Sequence, residues 1–258
     1  MNKKNFVIGV FDSGIGGLTV VKEIKKLIPN IELIYLGDTA RVPYGTRSTE
    51  TIRKFAEEDT NFLLSKNVDL IVVACNTVSS LALDVVKKHS SVPVFGVIEP
   101  AIKKSKKITK NNKIGLIGTR ATVNSNAYPD VVIRNHASMF VPLIEEGYIK
   151  GKEIDLFIKK YLSPFIGKVD TLILGCTHYP IIKNEIKRIL NDKIYLVDPA
   201  EEIAQVILNY YYDNKIKSNL MKKQCTFYLT DVNERFLKTA HMFLNEDISH
   251  LVKKVIIS

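Results

Sequence analysis

Two cysteines occupy matching places in the sequence, and their type and setting suit proton transfer. Cys75 closes the segment DLIVVAC at 69–75, and Cys176 closes DTLILGC at 170–176, which aligns with the first without a gap. Thr77 and Thr177 follow closely. Each segment reads as a strand ending in a small residue, a thiol and a polar turn. In open α/β sheets ligands bind beyond the carboxyl ends of the strands. A helix starting there offers free N–H groups that bind anions and lower a thiol pKa. If the two halves face each other, one thiol lies on each side of a shared cleft. Such a pair can take a proton from one face of a carbon and return one to the other, whereas a lone nucleophilic cysteine needs a histidine base.

The competing reading makes each cysteine a small buried hydrophobe. Against it, Asn76 and Thr77 adjoin the first thiol, and Thr177 and His178 the second, polar company that is costly in a core. Cys225, in QCTFYL at 224–229, has no such neighbours and reads as structural. No C-x-x-C pair occurs, and histidines at 89, 136, 178, 241 and 250 have no metal-ligand spacing. Free thiols in a reducing compartment are expected.

Two further strand-end loops could line the same cleft. The turn DSGIGGLT at 12–19 has Thr19 where a dinucleotide fingerprint needs its third glycine, and it lacks a P-loop Lys. It is either a generic turn or a backbone cradle for a carboxylate, with Asp12 orienting an ammonium group or assisting a thiol. In DTARVPYG at 38–45, Tyr44 and Gly45 could face the cleft, and Arg41 is either a carboxylate clamp or a surface ion pair.

These loops need a scaffold, and the apolar pattern supplies one. Runs at 6–11, 31–36, 70–74, 92–98, 114–117, 171–174 and 194–197 are rich in Val, Ile and Leu with little alternation, as parallel strands covered on both faces require. Between them lie helical patterns. Leu18, Val21, Ile24 and Ile28 share a face after Gly16-Gly17, as do Ile52, Phe55, Phe62 and Leu63 after Ser48, a natural N-cap. The alternation predicts an α/β protein. Upstream of the cysteines, IGVF at 8–11 echoes IGLI at 114–117, with 67 residues from Ile8 to Cys75 and 62 from Ile114 to Cys176. Two matches in one order predict a duplication: two similar doubly wound parallel-sheet domains facing each other across a central cleft. The expected division is a first domain at 1–98, rejoined by 210–258 with a strand at 225–229 and a helix near 234–244, and a second at 99–209.

Composition narrows the function classes. With 258 residues, 46% hydrophobic and 25% charged, the chain is ordinary and globular. The formal charge of +10 comes from lysine, only seven of the 37 basic residues being Arg. The densest cluster, Lys103, Lys104, Lys106, Lys107, Lys110 and Lys113, contains no aromatic residue. A solvated helix end is expected rather than a nucleic-acid surface. Lys3 and Lys4 precede an apolar run too short for a signal core of roughly 7–15 residues or a membrane helix of about 20. No membrane association and a cytoplasmic location are expected.

Assembled, the loops resemble the glutamate racemases of the cofactor-independent aspartate/glutamate racemase superfamily. The resemblance runs through FDSGIGG at 11–17, GDTARVPYG at 37–45, VACNT at 73–77, GVIEP at 96–100, GTRATVNS at 118–125, VPLIEEG at 141–147 and LGCTHYP at 174–180. It implies interconversion of L- and D-glutamate by deprotonation and reprotonation at Cα, without pyridoxal phosphate, metal or nucleotide. Cys75 and Cys176 match the catalytic thiols, Asp12 the acid assisting the first and His178 the imidazole assisting the second. Glu145 matches a further acid of the site, with adjacent Glu146 as the other candidate. Substrate contacts map onto Asp12, Ser13, Pro43, Tyr44, Gly45, Asn76, Thr77, Thr119, Cys176, Thr177 and His178. The resemblance also implies a C-terminal segment that rejoins the first domain, a homodimer, and D-glutamate for peptidoglycan. His178 favours the glutamate branch, since aspartate relatives carry an acidic residue there. The rivals are an aspartate or broad-specificity racemase, a binding protein for acidic amino acids without turnover, and a cysteine hydrolase.

Overall fold

The computed structural model describes residues 6–216 and 225–257. Lys3, Lys4 and Gln224 lie outside them, as do the other residues at 217–224 of the expected returning segment. Among the described residues ten strands form two sheets, and every pairing is parallel. The first sheet contains β1 (Val7–Asp12), β2 (Glu32–Gly37), β3 (Leu70–Val73), β4 (Val94–Gly96), β9 (Cys225–Leu229) and β10 (Val252–Lys254), in the order β10-β9-β2-β1-β3-β4. The second contains β5 (Ile114–Gly118), β6 (Val131–His136), β7 (Thr171–Gly175) and β8 (Tyr195–Val197), in the order β6-β5-β7-β8. The architecture is α/β with two parallel sheets, as the apolar runs predict.

The internal echo corresponds to equivalent structure. β3 pairs with β1, and β7 with β5. The acids that open the two echoed segments serve alike. Asp69 accepts from the Val7 N–H at 2.8 Å, while Asp170 accepts from the N–H groups of Lys110 and Asn111 at 2.7 and 3.0 Å. Each ties the start of its central strand to the element beside it. β1, β3, β5 and β7 are buried along their whole length, which leaves the chemistry to the polar residues at their ends.

Helices cover the sheets: α1 (Leu18–Leu27), α2 (Thr49–Ser65), α3 (Asn76–Leu81), α4 (Leu83–His89), α5 (Ile98–Ile108), α6 (Arg120–Asn124), α7 (Phe140–Glu145), α8 (Lys152–Leu162), α9 (Lys183–Ile189), α10 (Pro199–Asp213) and α11 (Glu234–Leu244). The expected faces hold: Leu18, Val21, Ile24 and Ile28 are buried, and the Ser48 side chain caps α2 by accepting from the Thr51 N–H. One apolar core runs without a break from Val10 and Val72 under the first sheet to Leu116 and Leu172 under the second. α10 packs on both α1 and α5, so the halves are joined through packed side chains as well as through the chain. The lysine cluster on α5 and the following loop is a solvated face, where Lys103 pairs with Glu99, Lys104 with Glu202 and Lys106 with Asp130. Among the described residues no helix is long and apolar enough to cross a membrane.

Three local expectations need correction. The run at 92–98 is strand only over Val94–Gly96, because Val97 already has helical dihedrals and Ile98 starts α5. β6 and β10 were not expected. β6 is a half-buried edge strand whose apolar part, Val131 to Ile133, gives way to Arg134, Asn135 and His136, and β10 is three residues with two lysines, so neither shows an apolar run of strand length.

Candidate active site

The ends of β1, β3, β5 and β7 converge between the sheets. Register places Asp12 beside Gly37, Phe11 beside Val73, and Gly118 beside Gly175. Asp12, Cys75, Thr119 and Cys176 therefore emerge at carboxyl strand ends. Both thiols are buried, as are Asp12, Asn76, Thr77, Thr177 and His178, and all three cysteines are free. The space between the sheet ends is closed around these polar groups.

The glycine-rich turn after β1 works by close approach. A Cβ on Gly17 would lie 2.5 Å from the Asp12 Cβ, and one on Gly16 would lie 2.2 Å from Thr177 Oγ1. Only bare backbone lets the turn fold over Asp12 while the loop after β7 presses against it. Asp12 accepts from the Gly14 N–H at 3.1 Å, and the Thr177 hydroxyl approaches it at 3.5 Å from the other half. Thr19 donates to the Thr177 carbonyl at 3.0 Å. Burial raises the Asp12 pKa, opposed by the His178 charge and the backbone N–H groups of Gly14 and Gly17.

Cys75 sits at the N-cap of α3, with its sulfur 3.6 Å from the Ser13 hydroxyl. The expected lowering of its pKa is not what the site produces. Burial and the nearby Asp12 charge push the thiol up to about 12, outweighing the Val78 N–H and the hydrogen bonds from Ser13. α3 has only six residues, a short dipole against a full desolvation penalty. Cys75 thus holds its proton in the closed site.

Cys176 has different company. His178 Nδ1 lies 4.0 Å from its sulfur, and His178 Nε2 lies 3.0 Å from Glu145 Oε1. Burial disfavours a charged imidazole, yet the hydrogen bonds and charges of Cys176 and Glu145 prevail and lift His178 from 6.5 to about 10. Burial pulls Glu145 upward, but His178 and Arg235 hold it below the usual carboxylate range. Glu145 is the acid that reaches the histidine, whereas Glu146 pairs with Arg235 at 2.8 Å. Tyr179 anchors this loop. Its ring meets Phe140 edge-on at 5.2 Å and its hydroxyl donates to the Ala137 carbonyl at 3.1 Å. Burying a ring of this size stabilises by roughly 1.5–3 kcal/mol, tying the Cys176 loop to α7, which carries Glu145.

Hydroxyl and amide donors join the halves around the thiols. Thr77 and Thr119 hydroxyls meet at 3.1 Å, and Thr119 also caps α6. Asn76 Oδ1 accepts from the buried Tyr128 hydroxyl at 2.9 Å, leaving its NH₂ as the donor end. Gly45 abuts Thr119, where a Cβ would lie 3.1 Å from the threonine Cβ.

The loop at 38–45 departs from expectation. Tyr44 is buried and gives its hydroxyl to Asp38, with Asp59 at 3.3 Å. Of the two readings of Arg41, the structure shows the ion pair, drawn partly inward. It lies half-buried over the Phe55 ring with Asp38, Glu58 and Asp59 around its guanidinium. Burial opposes the arginine's charge, but the hydrogen bond to Glu58 and the charges of Asp38 and Asp59 outweigh it and raise its pKa. Sequence reasoning also missed Tyr128 and the α11 residues Arg235, Thr239 and Phe243. The signal for the last three was their spacing of four, which puts them on one helix face.

The model of the Asp/Glu/hydantoin racemase family matches residues 8–207. The chain belongs to this family. Within the Asp/Glu racemase family, glutamate racemase of Aquifex aeolicus (strain VF5) is 44% identical over 248 residues, covering 93% of this chain and 95% of the relative. The structure of glutamate racemase from Francisella tularensis subsp. tularensis SCHU S4 in complex with D-glutamate matches with a TM-score of 0.89 at 40% identity, over 98% of both chains. Glutamate racemase from Thermus thermophilus in complex with β-chloro-D-alanine matches with a TM-score of 0.90 at 41% identity, again over 98% of both chains.

Proposed function

We propose that this chain is a glutamate racemase that interconverts L- and D-glutamate by proton transfer between two thiols at Cα. The observation that carries the reading is the asymmetry of the two equivalent strand ends. Cys75 keeps its proton beside Ser13 and Asp12, while Cys176 faces a cationic His178 backed by Glu145. A cation beside one sulfur and a proton held on the other is the arrangement such a reaction needs. A Cys176 thiolate takes the α-proton from one face, leaving the C–H electron pair on Cα, delocalised into the α-carboxylate. The Cys75 thiol then gives its proton to the opposite face. The roles are exchanged at the end, and the reverse reaction restores them.

Supporting groups match the substrate's chemistry. Asn76, Thr77, Thr119, Thr177 and the Ser13 region offer donors for two carboxylates, and Asp12 is an acceptor for the ammonium group. Closure excludes water and strengthens these fixed dipoles toward the carbanion. The relative from Francisella tularensis holds D-glutamate in a closely similar chain. The same reading has the enzyme work in the cytoplasm as a homodimer, supplying D-glutamate for peptidoglycan.

The test is direct. Purified protein is incubated in D₂O with each glutamate enantiomer, with no addition, while NMR follows loss of the α-proton and circular dichroism the optical activity. Exchange and racemisation of both enantiomers are expected. No exchange from either would refute the reading, and faster turnover of aspartate would move it to the aspartate branch.

A further inference from the structure

Outside the strand ends, one helix face touches the proton-transfer machinery from an unexpected direction. α11 follows residue 207, where the family match ends, yet it packs against the Glu145–His178 pair. Phe243 lies edge-on to the His178 ring at 5.7 Å and 84°. Thr239 donates to the Glu145 backbone carbonyl at 3.4 Å. Arg235 reaches Glu145 Oε2 at 3.6 Å through one nitrogen and Glu146 Oε1 at 2.8 Å through another. Residues 235, 239 and 243 are four apart, so one turn of α11 separates each contact from the next and all three fall on one stripe.

The division of labour at Glu145 is explicit. Its Oε1 is on His178 and its Oε2 is toward Arg235, so the two cations hold the carboxylate from opposite ends. Glu145 is only partly buried and faces an open groove lined also by Glu234, Lys238 and Met242. Without a second tether it can turn into that groove and take water in place of the imidazole. His178 would then lose the partner that orients its ring toward Cys176. Phe243 limits that ring from the side but offers no acceptor to Nε2.

We infer that Arg235, presented by the Arg235–Thr239–Phe243 face of α11, is a positioning residue for the Cys176 half of the site, holding Glu145 on His178. The inference rests on the racemase reading and adds that the C-terminal segment sets the rate of one of its two proton transfers. None of these contacts of Arg235, Thr239 and Phe243 reaches Cys75, Ser13 or Asp12.

The prediction separates positioning from simple support of the fold. In Arg235→Ala, kcat falls on the order of tenfold, below the roughly 10²–10⁴-fold that a proton-transferring group itself contributes, while KM changes less. Because racemisation has an equilibrium constant of one, kcat/KM falls equally in both directions. The discriminating readout is the α-deuterium isotope effect on kcat/KM, measured separately for each enantiomer. Slowing only the Cys176 transfer raises the effect for the enantiomer whose hydrogen Cys176 removes and lowers it for the other. Arg235→Lys, which keeps a cation within reach of Glu145, restores part of the rate and moves both effects back toward their wild-type values. Arg235 is half exposed, so the variant is expected to fold, and circular dichroism checks this. A variant with wild-type kinetics overturns the inference, as does one that is slower with both isotope effects unchanged. Wild-type protein that exchanges neither enantiomer overturns the racemase reading itself, and this inference with it.

Discussion

Gly16 and His178 meet across the two halves so closely that a Cβ on Gly16 would lie 2.5 Å from the imidazole Nδ1. That nitrogen is the one facing Cys176. Gly16→Ala must therefore displace either the turn over Asp12 or the His178 ring. Overpacking of this kind costs about 1–3 kcal/mol, and a misplacement near 1 Å costs about 10²-fold in rate. Steady-state assays should show kcat/KM down by about that factor with a modest fall in Tm. Unchanged activity would mean that the halves do not pack this closely in the working enzyme.

Cys75→Ala and Cys176→Ala should each abolish net racemisation while far-UV circular dichroism stays that of the wild type. The remaining thiol can still remove and return a hydrogen on its own face. Each variant is then expected to wash deuterium into one enantiomer only, and the two variants into opposite ones. Full racemisation by either would rule out the two-thiol assignment.

His178 ties stability to pH. Its pKa is raised from 6.5 to about 10 in the folded chain. The cation's contribution is fully present below the unfolded value near 6.5, shrinks as pH rises, and is gone above the folded value. Thermal melts should show Tm falling between pH 7 and pH 10, with each kcal/mol worth about 2–4 °C at this chain length. In His178→Asn that slope should be shallower. An equal slope in the variant would place the titrating group elsewhere.

The acid cluster under Tyr44 predicts the opposite of a useful ion pair at one position. Asp59 is fully buried, and burial together with the Asp38 charge raises its pKa well above 3.8. A raised carboxylate stabilises fully below its unfolded pKa and loses that contribution as pH rises through its folded value. Asp59→Asn keeps an acceptor for Tyr44 and Arg41 without the proton requirement. Urea titrations should therefore show the variant gaining on the wild type as pH rises from the ordinary carboxylate range toward neutrality. A difference constant with pH would show that Asp59 does not titrate in this range.

Much of the architecture was legible because buried parallel strands leave a strong mark. The runs carrying Val10, Val72, Leu116 and Leu172 were apolar on both faces, and the ends of two interior strands bore the thiols. Edge strands leave a weaker one. Arg134 to His136 and Lys253 to Lys254 sit at or near solvent on one side, so their pairing depends on the neighbouring strand and not on their own hydropathy.

The sequence by itself determined that two thiols end equivalent strands, that Gly16-Gly17 follows Asp12, and that His178 lies two residues from the second thiol. These are covalent adjacencies or short repeats, which one-dimensional spacing records. Tertiary structure alone decided which acid reaches His178, that Arg41 and Tyr44 turn into an acid cluster, that burial keeps Cys75 protonated despite its helix, and that Arg235 closes on Glu145 from 90 residues away. Each of those outcomes depends on desolvation and on through-space charge, which exist only once distant segments are packed together.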